Sequence, residues 1–179
     1  MGILFQSLGF NLLPTSALKR LSLYILRHPE KATKHISSVS KEYDGLSHHW
    51  PALGVILPEI ERLRTCLCVK FEPMIAYMQP ATNLEPHRDG LNGGRRSSLV
   101  QPLYPTEGYS STFFWADGIE HELKRSDLPA LIDLQALHSV NNIGEVPRFN
   151  FQLSLDLAFE EAQQLHLTGK LFRSIPFQL

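Results

Sequence analysis

Short β-prone runs at regular intervals fill the chain from about residue 65 to about residue 157, and they constrain the fold more than any other feature. The runs are CLCVKF, PMIAYMQ, SSLVQPLY, STFFWA, IEHELK, ALIDL and RFNFQLSLD. Asp117-Gly118 separates two of them, which is a strong hairpin signal. In the last run four apolar residues alternate with polar ones and predict one buried face: Phe149, Phe151, Leu153 and Leu155. Short strands at even spacing indicate a β-sandwich or a jelly roll.

Helical patterns flank this β-rich stretch. Residues 15–28 repeat apolar side chains at helical spacing and end before Pro29. A short helix is predicted at Pro58–Arg64, with proline in its first turn, and a closing helix at Ala158–Leu167.

We therefore expect one domain over residues 1–179, mainly β with supporting helices and built as a double-stranded β-helix, or jelly roll. Its expected parts are helical support over about residues 1–64, a jelly-roll core over about 65–157 and a C-terminal helix over about 158–168.

Composition narrows the classes of partner. The net charge is -1, without the basic stripe of a nucleic-acid-binding protein, so we expect no nucleic-acid partner. No apolar run approaches the roughly 20 residues of a membrane span, and the N-terminus lacks the basic region of a signal peptide.

The two cysteines indicate a reducing compartment. Cys66 and Cys68 are two apart, so extended backbone would place both on one face, where we expect them to be small buried residues. We expect a cytoplasmic protein; the sequence does not indicate its oligomeric state.

Three residues suggest a metal site. His87 and Asp89 flank Arg88, and side chains two apart point the same way in extended backbone. His138 follows ALIDLQAL and precedes the last long strand, where it could supply a third ligand. Two histidines and one carboxylate on one face of a metal are the ligand set of non-haem iron(II) oxygenases. The alternative is a turn at Pro86–Gly90 with an unrelated half-buried histidine.

Arg148 is the feature that discriminates between these readings. It comes ten residues after His138, at the start of the strand-like run RFNFQLSL. A planar guanidinium projecting beside a metal could bind a carboxylate through two parallel hydrogen bonds. 2-Oxoglutarate would need such a group, because its keto-acid end chelates iron and its far carboxylate requires a cationic partner.

The stretch from Pro86 to Asp156 resembles the 2-oxoglutarate and iron(II)-dependent dioxygenase superfamily. Within it, the resemblance is closest to aspartyl/asparaginyl β-hydroxylase-like proteins, including hydroxylases of free amino acids. That group carries an arginine about nine residues after the first histidine and another ten after the second, where this chain has Arg96 and Arg148. The resemblance covers about residues 70–157 and implies a double-stranded β-helix.

The resemblance also implies which residues hold the co-substrate. Arg148 and Arg96 would bind carboxylates, and Ser98, two residues after Arg96, would assist. Many members have Ser or Thr two residues after the distal arginine; here that position is Asn150, which can still donate to a carboxylate. Membrane-anchored peptide hydroxylases of the group lack the metal-binding carboxylate, whereas this chain has Asp89, so it looks nearer to the soluble members.

The resemblance implies an enzyme that uses Fe(II), 2-oxoglutarate and O2 to hydroxylate a small molecule, a free amino acid or a peptide. Two other classes stay open. A cupin-like metal-binding jelly roll, acting as an isomerase or a small-molecule sensor, would have no need of Arg148. A zinc hydrolase could use the same three ligands, but the sequence shows no separate general base at a convincing spacing.

Overall fold

The computed structural model describes residues 3–34, 48–50, 53–67, 69–89, 94–104 and 110–172. The helices are α1 (Thr15–Arg27), α2 (Leu53–Ile56), α3 (Pro58–Cys66) and α4 (Phe159–Leu167), with a 3-10 turn at Pro29–Lys31. The strands are β1 (Phe5–Ser7), β2 (Thr33–Lys34), β3 (His48–His49), β4 (Met74–Met78), β5 (Thr82–His87), β6 (Ser97–Tyr104), β7 (Ser110–Ala116), β8 (Ile119–Lys124), β9 (Ala130–Asp133), β10 (Leu137–Asn142) and β11 (Arg148–Leu155).

Two antiparallel sheets form the framework. The larger sheet has the order β1-β9-β6-β11-β4 and the smaller has the order β5-β10-β7-β8. Successive strands thus alternate between the sheets along much of the chain, as in the predicted double-stranded β-helix. Strands β2 and β3 form a separate two-stranded ribbon. In the described part of the chain, no helix is both long and apolar enough to cross a membrane.

The larger sheet presents two different faces. The alternation predicted for β11 is confirmed: Phe149, Phe151, Leu153 and Leu155 are between 0% and 6% exposed and belong to a core shared with residues of α1, α3 and α4. The other face of β11 carries Arg148, Asn150 and Gln152 toward the smaller sheet. Helices therefore cover one face of this sheet, and the other faces a cavity between the two sheets.

The hairpin between β7 and β8 is confirmed at its predicted position. Asp117 and Gly118 have φ values of 52° and 75°. Two consecutive positive φ angles give the tight turn whose twist matches that of the paired strands. Because the turn fixes the register, Thr112 lies opposite Leu123, and both line the cavity between the sheets.

Two sequence predictions are wrong in detail. The described residues of CLCVKF do not form a strand, because α3 runs on through Cys66 and the Leu67 and Val69 amides donate back to carbonyls of its last turns. These local bonds hold the chain in a helix C-terminus; Cys68 lies outside the described residues. The N-terminal third is not purely helical either, since β1 pairs with β9 at the edge of the larger sheet.

Candidate metal centre and adjoining cavity

Strands β5 and β10 bring two histidines face to face. His87 ends β5, His138 lies at the start of β10, and the two are paired directly in the antiparallel register. Their ring centroids are 4.5 Å apart. The register shifts between His138 and Val140, so the regular pairing is interrupted next to the second histidine. Irregularities of this kind redirect a side chain at functional sites.

Asp89 completes the group. Its backbone N–H donates to the carbonyl of Leu134 at 2.9 Å, which fixes the chain just after β5. Its carboxylate oxygens lie 3.8 Å from Nε2 of His87 and 3.8 Å from Nε2 of His138. One ligand atom from each residue can be chosen so that all lie within 4.8 Å of one another. The predicted triad of His87, Asp89 and His138 is therefore assembled in space.

The hydrogen bonds of the two histidines determine which ring nitrogen carries the hydrogen and which one faces the cavity. Nδ1 of His87 lies 2.7 Å from the carbonyl oxygen of Glu85, and Nδ1 of His138 lies 3.0 Å from that of Ala136. Because a carbonyl only accepts, each Nδ1 carries the hydrogen and each Nε2 keeps the lone pair with which an imidazole can bind a metal. Such outer hydrogen bonds hold metal-binding imidazoles in position.

Burial favours the neutral form of one ligand. His138 is only 3% exposed, and loss of hydration lowers the pKa of its imidazole, an effect that the nearby Asp89 carboxylate partly opposes. A neutral imidazole is the form that binds a metal. The donor set of two imidazole nitrogens and one carboxylate, with further positions open to the cavity, fits an iron(II) ion.

A cavity of about 200 Å³ extends from this group between the two sheets. Its apolar lining includes Leu84, Val100, Ile132 and Val140. Mainly apolar walls with a few convergent polar groups are typical of small-molecule sites.

Arg148 lies in this cavity, as expected from the sequence. It is 8% exposed, and its Nη2 donates to Oγ1 of Thr112 at 3.2 Å across the gap between the sheets. Its Nε and Nη1 are buried and have no hydrogen-bond partner among the described residues. Burial lowers the pKa of the guanidinium to about 10, so it remains charged near neutral pH. A buried cation with unused donors favours an anionic ligand.

Asn150 is also buried, and it contacts a residue that the sequence analysis did not single out. Its Oδ1 accepts a hydrogen bond of 2.6 Å from Nη1 of Arg125, whose Nη2 donates to the carbonyl of Phe149 at 2.7 Å. Arg125 is 9% exposed and lines the cavity. The sequence pattern that could have identified Arg125 is the alternation of β8. Every second residue faces the same side, and this series runs from His121 and Leu123 to Arg125, just past the end of the strand.

The other two predicted co-substrate residues are not in the cavity lining. The side chain of Arg96 is exposed, while the neighbouring Arg95 is half-buried and lines the cavity. The backbone of Arg96 still bonds to both neighbouring segments, with its N–H donating to the carbonyl of Leu155 and its carbonyl accepting from Leu134, so it is the side chain alone that turns away from the cavity. Ser98 is 1% exposed, and within the part of the chain that the structure describes its Oγ has no hydrogen-bond partner. Of the predicted co-substrate residues, Arg148 and Asn150 are thus brought to the cavity, and Arg96 and Ser98 are not.

No protein-family model and no curated protein matches the chain. Solved structures share its fold. A Pseudomonas putida prolyl-4-hydroxylase superimposes with a TM-score of 0.60 at 19% identity, covering 84% of this chain and 90% of that one. The non-heme alpha-ketoglutarate-dependent epimerase SnoN from nogalamycin biosynthesis gives 0.54 at 14% identity, covering 80% and 73%. AviO1 from Streptomyces viridochromogenes Tue57 gives 0.54 at 14% identity, covering 87% and 91%. At these identities the likeness shows a common fold.

Proposed function

We propose that this protein is a non-haem iron(II) oxygenase that uses 2-oxoglutarate as its co-substrate. The observation that carries the proposal is the cavity, which joins the convergent His87, Asp89 and His138 to the buried, incompletely bonded Arg148. The shared fold supports the proposal, because the similar solved structures include a prolyl-4-hydroxylase and an alpha-ketoglutarate-dependent epimerase.

The spacing inside the cavity suits a short dicarboxylate. His138 lies opposite Phe114 on β7, whereas Arg148 binds Thr112, two residues further along the same strand. Two residues of strand correspond to about 7 Å. A molecule with its keto-acid end at the metal could therefore place its far carboxylate beside Arg148. Asn150 lies on the same face of β11 and would stand next to that carboxylate.

Each protein group would have a distinct role. His87, Asp89 and His138 would hold iron(II), and the backbone carbonyls of Glu85 and Ala136 would keep both Nε2 atoms aimed at it. Arg148 would bind and orient the co-substrate, and the apolar walls would limit access of water. When bound, iron and 2-oxoglutarate would supply the activation of O2 and the oxidation of the prime substrate.

We further propose that the outcome is hydroxylation and that the prime substrate is a small molecule, a free amino acid or a peptide. The spacing of Arg96 suggested a closer resemblance to aspartyl/asparaginyl β-hydroxylases than to other members of the superfamily. Because its side chain is exposed, Arg96 no longer supports that closer resemblance. The proposal therefore rests on the wider superfamily. A cupin-like protein without oxygenase activity is less favoured, because it has no use for a buried cation facing the metal-binding triad.

Anaerobic titration tests this function. Protein freed of metal is titrated with iron(II) and then with 2-oxoglutarate, following the visible charge-transfer absorption that appears when a keto acid chelates iron(II). Oxygen is then admitted with a panel of amino acids, peptides and small metabolites, and succinate is measured. We expect one equivalent of each ligand to bind and succinate to form. Tight zinc binding with no keto-acid chelation to iron would instead support a hydrolase.

A further inference from the structure

Arg125 approaches the cavity from the sheet opposite Arg148. It directly follows β8 and continues the inward-facing side of that strand, next after Leu123. Leu123 is paired with Thr112, the residue that accepts the hydrogen bond from Arg148. The two arginines therefore line the same part of the cavity, one contributed by β11 and the other by the end of the β7–β8 hairpin.

The hydrogen bond from Arg125 determines how the Asn150 amide is turned. A guanidinium has donors and no acceptor, so the atom 2.6 Å from Nη1 of Arg125 must be the amide oxygen. The amide nitrogen of Asn150 then points away from Arg125, and Asn150 itself lines the cavity. In this orientation the asparagine offers N–H donors to a ligand, next to Arg148 on the same strand face.

The charge of the lining is strongly positive. Among the described residues that line the cavity, four are cationic, Arg95, Lys124, Arg125 and Arg148, and one is a carboxylate, Asp89. Asp89 belongs to the metal end, beside the two histidines. Arg125 and Arg148 are both buried, and the pKa of Arg125 is lowered to about 8, first by burial and then by repulsion from Arg148. Two buried like charges in one cavity favour an anionic occupant.

We propose that Arg125 and Arg148 together bind the distal carboxylate of the co-substrate, and that Arg125 also positions Asn150 so that its amide nitrogen is a third donor to that carboxylate. This inference rests on the proposed function, because it assigns a role at the co-substrate end of the same cavity. It adds a binding and positioning residue that directly follows β8 of the smaller sheet, whereas the arginine that the sequence indicated belongs to the larger sheet.

Binding of 2-oxoglutarate to protein freed of metal tests the inference directly. The dicarboxylate is titrated by calorimetry into the wild type, Arg125→Gln, Arg148→Gln and Arg27→Gln. Arg27 is exposed in the last turn of α1, so its variant is a control for the loss of one positive charge. We expect Arg125→Gln to weaken binding about tenfold or more, as for one lost charge-assisted hydrogen bond, and Arg27→Gln to bind as the wild type.

Variants of Asn150 test its orientation. Asn150→Asp keeps an oxygen acceptor for Arg125 but replaces the cavity-facing donor with a second carboxylate oxygen. We therefore expect Asn150→Asp to bind 2-oxoglutarate more weakly than Asn150→Ala. Because the added charge of Asp also repels the dicarboxylate, the deciding variant is the neutral Asn150→Ala: if it binds 2-oxoglutarate as tightly as the wild type does, the amide nitrogen has no role, which overturns that part of the inference.

The affinity for iron(II) alone separates a binding role from a structural one. Arg125→Gln should retain the wild-type affinity for the metal, whereas a collapsed cavity would lose metal and dicarboxylate together. If Arg125→Gln does not fold, Arg125→Lys retains the charge but not the planar fork, and weaker 2-oxoglutarate binding by this variant supports the same role.

The two proposals fail in different ways. If Arg148→Gln loses 2-oxoglutarate while Arg125→Gln and Arg125→Lys bind it as the wild type does, Arg125 has no such role and the proposed function stands. If the wild type binds no 2-oxoglutarate with or without iron(II), the proposed function fails, and this inference fails with it.

Discussion

His87 and His138 lie directly opposite each other in the register of β5 and β10, and each donates its Nδ1 hydrogen to the backbone carbonyl two residues before it. The same local hydrogen bond is thus made on both strands. It sets the tautomer and the rotation of each imidazole before any ligand arrives, so that both Nε2 atoms are directed toward Asp89 and the cavity.

We expect His87→Ala and His138→Ala each to abolish iron(II) binding and turnover while the fold is retained. Two ligands cannot hold the ion in the geometry that three provide. Anaerobic calorimetry with iron(II) measures the first effect, and circular dichroism checks the fold. His28→Ala is the matched control, because His28 is a half-buried histidine at the end of α1. Wild-type iron affinity in both triad variants would refute the assignment.

Arg148→Ala should raise the apparent KM for 2-oxoglutarate by a factor on the order of 30 or more. Loss of one partner from a buried, hydrogen-bonded charge pair typically costs about 2–5 kcal/mol. The expectation has a structural basis, since the guanidinium is buried and two of its donor atoms have no partner in the described ranges of the chain. Succinate formation at varied 2-oxoglutarate gives KM. An unchanged KM would place the co-substrate carboxylate elsewhere.

Most of the fold follows from local patterns that the sequence displays. The alternation in β11, the two-residue turn at Asp117-Gly118 and the apolar spacing of α1 each depend on nearby residues, and each is found where it is predicted. The metal triad could also be predicted from the sequence, because His87 and Asp89 are close in sequence and Arg148 has a characteristic spacing from His138.

Other features depend on contacts that are distant in sequence. Strand β5 is polar and contains Pro86, so its sequence does not resemble a strand. In the described part of the chain it is an edge strand that pairs with β10 alone, and proline is tolerated in edge strands. From the sequence, Arg125 resembles a surface residue. Its burial depends on the packing of β11, which is distant in sequence. Arg96 has the spacing of an inward residue, but its side chain is exposed although its backbone is paired on both sides, and sequence spacing alone does not reveal that orientation.

Gly118→Ala should lower the free energy of unfolding by about 1–2 kcal/mol through the backbone alone. Gly118 has a φ of 75°, and a Cβ added there would meet no atom of the described residues within 4 Å, so no steric contact with them complicates the result. Asp117→Gly, at the other positive φ of the turn, should be neutral or slightly stabilising. Urea denaturation of both variants measures the difference. Equal stability of Gly118→Ala and wild type would argue against this turn geometry.

Asn142→Ala should destabilise the fold by about 1–3 kcal/mol, the usual cost of leaving buried polar groups unsatisfied. Asn142 is 1% exposed, and its amide donates to the carbonyls of Gln79 and Val146, both at 2.9 Å. It thereby ties the end of β10 to the turns beside it. Asn83→Ala, at an exposed asparagine of the neighbouring strand, is the control and should change stability little.

The stability of the metal-free protein should fall as the pH drops through about 6.5, and His138 should account for part of the fall. An imidazole in the unfolded chain takes up a proton near that pH. Burial lowers the pKa of His138 in the folded protein, so the folded state takes up this proton only at a lower pH.

Between those two pH values the unfolded chain holds one more proton than the folded one, and the free energy of unfolding therefore decreases with decreasing pH. His138→Gln removes this titration, so its stability should change less than that of the wild type between about pH 7 and pH 5. Urea denaturation of both proteins across this range, with metal removed, gives the comparison. Groups other than His138 titrate in both proteins, so the difference between the two curves isolates the contribution of this residue. An identical slope in the two proteins would mean that folding does not lower the pKa of the His138 imidazole.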